Sequence, residues 1–132
     1  MIIEIKDKEY ELDLGIEFAE SLDKKYKLVQ SISTMDLEFG MGVGMVAAKL
    51  DMVSIGAIIE FFEAGLKGVK RNSYSKADLN KAIENKAKEL GGFAQLADSC
   101  VEALVEVGLY SHVFEADPEQ LKQTLEQIQE EE

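Results

Sequence analysis

The sequence predicts an α+β fold that is mainly helical, an N-terminal β-hairpin packed on a bundle of about four or five helices. Three observations predict it. The hydrophobic period switches from two to 3.6 at Gly15. Helical spacing then recurs in successive segments as far as Ile128, and glycines or turn residues separate those segments.

Ile3 and Ile5 alternate with Glu4 and Lys6, and Tyr10, Leu12 and Leu14 alternate with Glu11 and Asp13. Asp7, Lys8 and Glu9 between these runs form the short hairpin connection, so the hairpin is expected over 2–14. After Gly15, Ile16, Ala19, Leu22 and Tyr26 recur at three to four residues with Phe18 beside them, while the acids and lysines fall mostly elsewhere around the helix. Residues 28–38 have no sustained period and read as a connection.

Gly40, Gly42 and Gly44 alternate with Met41, Val43 and Met45. Gly42 to Ala47 formally fits a GxGxxA dinucleotide fingerprint, but that motif needs a preceding buried strand inside a βαβ unit. Met35 to Glu38 is a poor parallel strand, and no further strand of that kind follows. The segment reads instead as a flexible or tightly turned entry to a helix, since glycine tolerates positive φ and close backbone approach. Binding of a nucleotide is not expected.

Val46 to Leu50 and Val53 to Leu66 are helical in pattern, and the second stretch is apolar around most of its circumference. Such a helix is either a core element or a surface masked by a partner. Ile55, Ile58, Ile59, Phe62 and Leu66 form one stripe for the core. Phe61 lies to one side of it near Ala57 and Ala64, and is the residue of this helix best placed to touch something else.

Ser75 to Asp78 resembles a capping box with Asp in place of Glu, preceding Leu79, Ala82, Ile83, Ala87 and Leu90 at helical spacing. Gly91 and Gly92 end that helix, and Phe93, Leu96, Ala97, Cys100, Val101, Leu104 and Val105 mark another that stops near Gly108. Residues 1–116 are expected to form one globular domain. Asp117 and Pro118 open a last helix, in which Leu121, Leu125 and Ile128 make a narrow apolar seam on an acidic tail, 117–132.

Composition excludes several function classes. The 132 residues carry 46% hydrophobic and 30% charged side chains, a globular balance, and no apolar run approaches the roughly 20 residues of a membrane span. The N-terminus lacks the basic-then-apolar order of a signal peptide, so the chain is expected in the cytoplasm where it is made. One cysteine cannot close an intrachain disulfide, and Cys100 in an apolar stripe reads as a small core residue. His112 is the only histidine. With no second histidine, no phosphate loop and no buried basic partner for the acids, no metal, cofactor or catalytic constellation is expected, and the chain reads as a non-enzyme.

A net charge of −12 argues against nucleic acid as a partner. The charge is segregated: residues 67–88 hold seven lysines and arginines against two acids. One reading is a docking patch for an acidic segment, the chain's own tail or that of a neighbouring copy in a homo-oligomer. The other is a solvated face that keeps the protein soluble.

IKDKEYELDLGIEFAESLDKKYK at 5–27 and FGMGVGM at 39–45, followed by a helical segment and an acidic end, resemble the short tail assembly chaperones of long-tailed bacteriophages and prophages of Gram-positive bacteria. The FAES segment at 18–21 departs from the Leu/Arg-containing turn of that family. The resemblance implies a helper in the host bacterial cytoplasm that binds and solubilises the helical, apolar tape measure protein and helps bring tail-tube subunits around it. It also implies that a ribosomal frameshift can yield a longer product. The surface assigned to that client is Ile58, Phe61 and Phe62 of the 53–66 helix with Leu121, Leu125 and Ile128 of the last helix. The rival reading is a small acidic adaptor that binds another folded protein without an apolar groove.

Overall fold

The computed structural model describes residues 1–30, 41–69 and 73–114. Strands β1 (Ile2–Ile5) and β2 (Lys8–Glu11) form an antiparallel hairpin, followed by α1 (Ile16–Gln30), α2 (Met41–Asp51), α3 (Ile55–Gly65), α4 (Lys76–Leu90), α5 (Phe93–Glu106) and the short α6 (Ser111–Phe114). A mainly helical α+β fold with an N-terminal hairpin is therefore what the chain adopts. The last helix expected from Asp117 onward lies outside the described residues.

The hairpin turns earlier than the sequence suggests. Ile5 pairs with Lys8, which leaves Lys6 and Asp7 as a two-residue turn, and both have positive φ, 52° and 63°. Two left-handed residues make the turn whose twist matches that of the flanking strands, and this geometry sets the register against the usual glycine preference. Ile3 and Ile5 face the core while Ile2 and Glu4 face outward. Beyond β2 the chain stays extended: Leu12 N–H donates to the Met1 carbonyl at 2.9 Å and Asp13 N–H to the Gly65 carbonyl at 3.0 Å. The strand exit is thereby stitched to the end of α3, and Leu12 and Leu14 remain buried.

On α1 the core-facing side chains are Phe18, Ala19, Leu22 and Tyr26. Ile16, expected within that stripe, is 69% exposed, because Phe18 takes the core position in the first turn. Asp13 accepts the Gly15 N–H at 3.0 Å as the chain enters the helix.

Gly42 and Gly44 are not a turned entry, since both lie inside α2, which begins at Met41; Gly40 lies outside the described residues. A Cβ at Gly42 would stand 2.5 Å from the Leu22 carbonyl carbon and 2.6 Å from the Asp23 nitrogen. The missing side chain lets two helix backbones touch. At the same place the Asp23 carboxylate accepts the Gly42 N–H at 2.9 Å, so a residue in the middle of α1 satisfies a free amide of the first turn of α2. Buried from Gly42 through Ala48, α2 is the central helix, packed against α1, α3, α5 and α6.

Local chemistry ends and starts the later helices. Ser54 caps α3 by accepting from Ala57 N–H at 3.2 Å. Ser75 and Asp78 exchange bonds of 2.9 and 3.1 Å in the expected capping box of α4. That helix closes with Gly92 N–H on the Ala87 carbonyl and Gly91, at φ 107°, on Lys88, the paired bonds of a Schellman motif. The end of α2 has the same arrangement, Ser54 to Lys49 and Val53 to Leu50, but the left-handed position is filled by Val53 at φ 56°. A β-branched residue is strained there.

Phe18, Phe61 and Phe62 stack edge to face at 5.6 and 5.4 Å between centroids, and Tyr110 leans on Phe18 at 6.3 Å. The Tyr110 hydroxyl, 2.6 Å from the Leu14 carbonyl and 3.0 Å from that of Gly15, donates its one proton to that pair. It joins the short α6 segment, which the sequence pattern does not reveal, to the entry of α1.

Candidate functional site

The apolar 53–66 helix and its surroundings come first. Ile58, Phe61 and Phe62 have no exposed surface, and Leu66 is buried beside them. Phe61 is thus a core residue and not an accessible anchor. The reason is geometric: α3 is flanked by α1 on one side and by α2 and α5 on the others, so its buried arc is wider than a single stripe and takes in the position beside it. Ile55, expected in the core stripe, is 49% exposed instead. It follows closely on Val53, 40% exposed, and the exposed Met52, so the α2–α3 corner presents three large apolar side chains to solvent. This corner also carries the strained Val53. Leu121, Leu125 and Ile128 lie outside the described residues.

Further along α3, Glu60 reaches back to α1. It accepts the Tyr26 hydroxyl at 2.7 Å and stands 3.9 Å from the Lys25 ammonium. Burial, reinforced by the hydrogen bond and the charge of Glu60, raises the Tyr26 pKa far above the usual phenol range. The Lys49 ammonium lies 5.2 Å from the Tyr26 ring centroid on the α2 side. The group ties three helices together, and its carboxylate is engaged by the phenol rather than presented to solvent.

Cys100 is fully buried on α5 and burial pushes its thiol up to about 12, the reverse of what a nucleophile needs. His112 lies exposed on α6. Among the described residues no group of three or more His, Cys, Asp or Glu side chains is placed to hold a metal ion.

The basic segment folds into a surface of mixed sign. Lys81 pairs with Glu84 at 3.8 Å along α4, and Asp78 faces Lys6 of the hairpin turn at 4.0 Å. Hydrogen bonds from the Ser75 amide and hydroxyl hold the Asp78 carboxyl below the usual range. Between β1 and α4 runs a cleft of about 380 Å³, lined by Glu4, Lys6 and Asp7 on the hairpin and by Asp78, Lys86 and Glu89 among others on the helix. A second hollow of about 210 Å³ continues it past Ile2 and Lys86 to Glu102 and Glu106 of α5. Sequence reasoning missed this groove, because its two walls are about seventy residues apart; the outward alternation of Ile2, Glu4 and Lys6 was the available signal.

No helix among the described residues is long and apolar enough to cross a membrane. The family model described as phage tail assembly chaperone protein, TAC, matches residues 2–116. Comparison with curated proteins and with solved structures gives no match.

Proposed function

We propose the function from one premise: this chain belongs to the phage tail assembly chaperone family. Its client is the tape measure protein, whose apolar helical segments it covers and keeps soluble in the host cytoplasm while tail-tube subunits gather. It does this by binding alone, without catalysis or cofactor. The family match carries this reading. The exposed apolar corner of Met52, Val53 and Ile55 supports it physically, because large apolar side chains held out on a rigid turn suit the apolar face of a helical client. The seam of Leu121, Leu125 and Ile128 is assigned to the same client. Its spacing in the sequence offers that client a second apolar stripe.

Co-expression with a tape measure protein, followed by pull-down and a solubility assay, tests it. The wild type is expected to capture and solubilise the client. Replacing Met52, Val53 and Ile55 together by serine should lower capture by about a hundredfold, the cost of removing three contact residues worth about 1 kcal/mol each. The melting temperature should hold, since all three are exposed. Failure of the wild type to capture the client refutes the chaperone reading; full capture by the triple variant refutes the surface assignment.

A further inference from the structure

Beyond the capture of a helical client, we propose that the groove between β1 and α4 accepts an extended, basic polypeptide segment as a third strand of the hairpin sheet. The backbone gives the first reason. Leu12 N–H bonds to the Met1 carbonyl, so hydrogen-bonded pairs fall at Met1, Ile3 and Ile5, and alternation turns the N–H and C=O of Ile2 and Glu4 away from β2. The sheet has two strands, and these groups have no hydrogen-bond partner among the described residues. They are the edge groups that an added strand would pair with.

The second reason is the shape of the space beside that edge. The two hollows lie end to end along β1, sharing Lys86, with α4 as the opposite wall. From Asp78 to Glu89 the helical wall is about 17 Å long, the span of about five extended residues. An edge strand beside a helix with a groove between them is the geometry in which a peptide gains main-chain hydrogen bonds from the strand and side-chain contacts from the helix.

The third reason selects the occupant. Lys6 is matched with Asp78, and Lys81 turns to Glu84. What remains in the groove is Lys86 and the Met1 ammonium against Glu4, Asp7, Glu89, Glu102 and Glu106. That acid excess favours a segment bearing lysine or arginine at alternate positions, and disfavours the chain's own acidic tail as the occupant.

The test uses a fluorescein-labelled hexapeptide of alternating valine and lysine, titrated against the full chain by anisotropy, with amide hydrogen exchange at Ile2 and Glu4 read in parallel. The expected result is saturable binding that weakens as salt rises, with exchange at those two amides slowed about tenfold at saturation. The peptide with glutamate for lysine should bind at least about tenfold more weakly. An N-methylated version, unable to donate to the edge, should not bind. Glu4→Pro removes an N–H that the hairpin does not use and puts a ring in the path of the added strand, so binding should be lost with the melting temperature kept. Absence of saturable binding, equal binding of the N-methylated or acidic peptide, or protection confined to amides away from β1 overturns the proposal. The N-methylated peptide decides the matter even where Glu4→Pro disturbs the fold.

Discussion

Replacing Gly42 by alanine tests the close backbone approach of α2 to α1. In an isolated helix the change would stabilise by about 1 kcal/mol, the difference in helix propensity. Here the new methyl would sit 2.5 Å from the Leu22 carbonyl carbon, 2.6 Å from the Asp23 nitrogen and 2.7 Å from the Leu22 oxygen. Ordinary carbon contacts need about 3.5–4.0 Å. The obstacle is backbone, so no rotamer relieves it. Either α2 moves away from α1 by about 1 Å, loosening the packing of Met45 and Val46 and stretching the Asp23 to Gly42 bond, or the overlap remains. Overpacking typically costs about 1–3 kcal/mol, and an immovable obstacle puts this site at the upper end, leaving a net loss of about 2 kcal/mol after the propensity gain. Gly56 and Gly65 serve as internal standards. A methyl at Gly56 meets only the Ser54 hydroxyl at 3.8 Å, so Gly56→Ala should be neutral or stabilising by up to about 1 kcal/mol. At Gly65 the clash, 2.7 Å to Leu12 Cδ2, is with a side chain that can partly yield, so the loss should be smaller than at Gly42. Urea unfolding followed by far-UV circular dichroism gives all three values. A Gly42→Ala variant as stable as the wild type would refute the close contact of α1 and α2.

Phe61→Ala should destabilise by about 3–5 kcal/mol, because it empties a fully buried site between Phe18 and Phe62; denaturant melts measure it, and a loss below about 1 kcal/mol would contradict its core position. Val53→Gly should stabilise by about 0.5–1 kcal/mol, since glycine adopts the left-handed conformation without strain, and calorimetry at matched pH reads the gain. Alkaline unfolding has a definite sign. Burial raises the phenols of Tyr26 and Tyr110 and the thiol of Cys100 above their unfolded values, so the stability they contribute is complete below the unfolded pKa values, about 8.5 for the thiol and 10 for the phenols, and is lost as pH rises beyond them. Replacing Tyr110 and Tyr26 by phenylalanine should flatten the phenol part of that decline in melting temperature, and an unchanged profile would refute it.

The hairpin, the capping box of α4 and the glycine stop before α5 were legible in the sequence because each rests on short-range chemistry: alternation, Ser75 with Asp78, and Gly91 at a left-handed position. What escaped was decided by distant partners. Gly42 and Gly44 look like loop formers until Leu22 is known to press on the first of them, and only then does a glycine-rich run make sense as the start of a helix. Ile16, Ile55 and Phe61 exchanged roles for a related reason. Period locates a face, but the width of the buried arc depends on how many helices surround it, which no local window contains. Of the candidate site, the apolar character of the 53–66 helix could be read, whereas its exposed part lies at the corner of Met52, Val53 and Ile55 and not at Phe61.

The hydrogen bond from Tyr110 to Leu14 and Gly15 also sets a schedule for biosynthesis. Its partners are 96 and 95 residues apart, and at roughly 5–20 residues per second the ribosome needs about 5–20 s to deliver the second after the first. Until then the hairpin and α1 wait without the ring that closes over Phe18, and the strand exit at Asp13 has already had to wait for Gly65. The N-terminal segment therefore cannot complete its packing while it emerges. The contacts of high sequence separation that close over the entry of α1 form only once Tyr110 has been made, after α1 to α5. A helper for other chains thus carries, while it is being made, an apolar face of its own at Phe18 that only Tyr110 covers on that side.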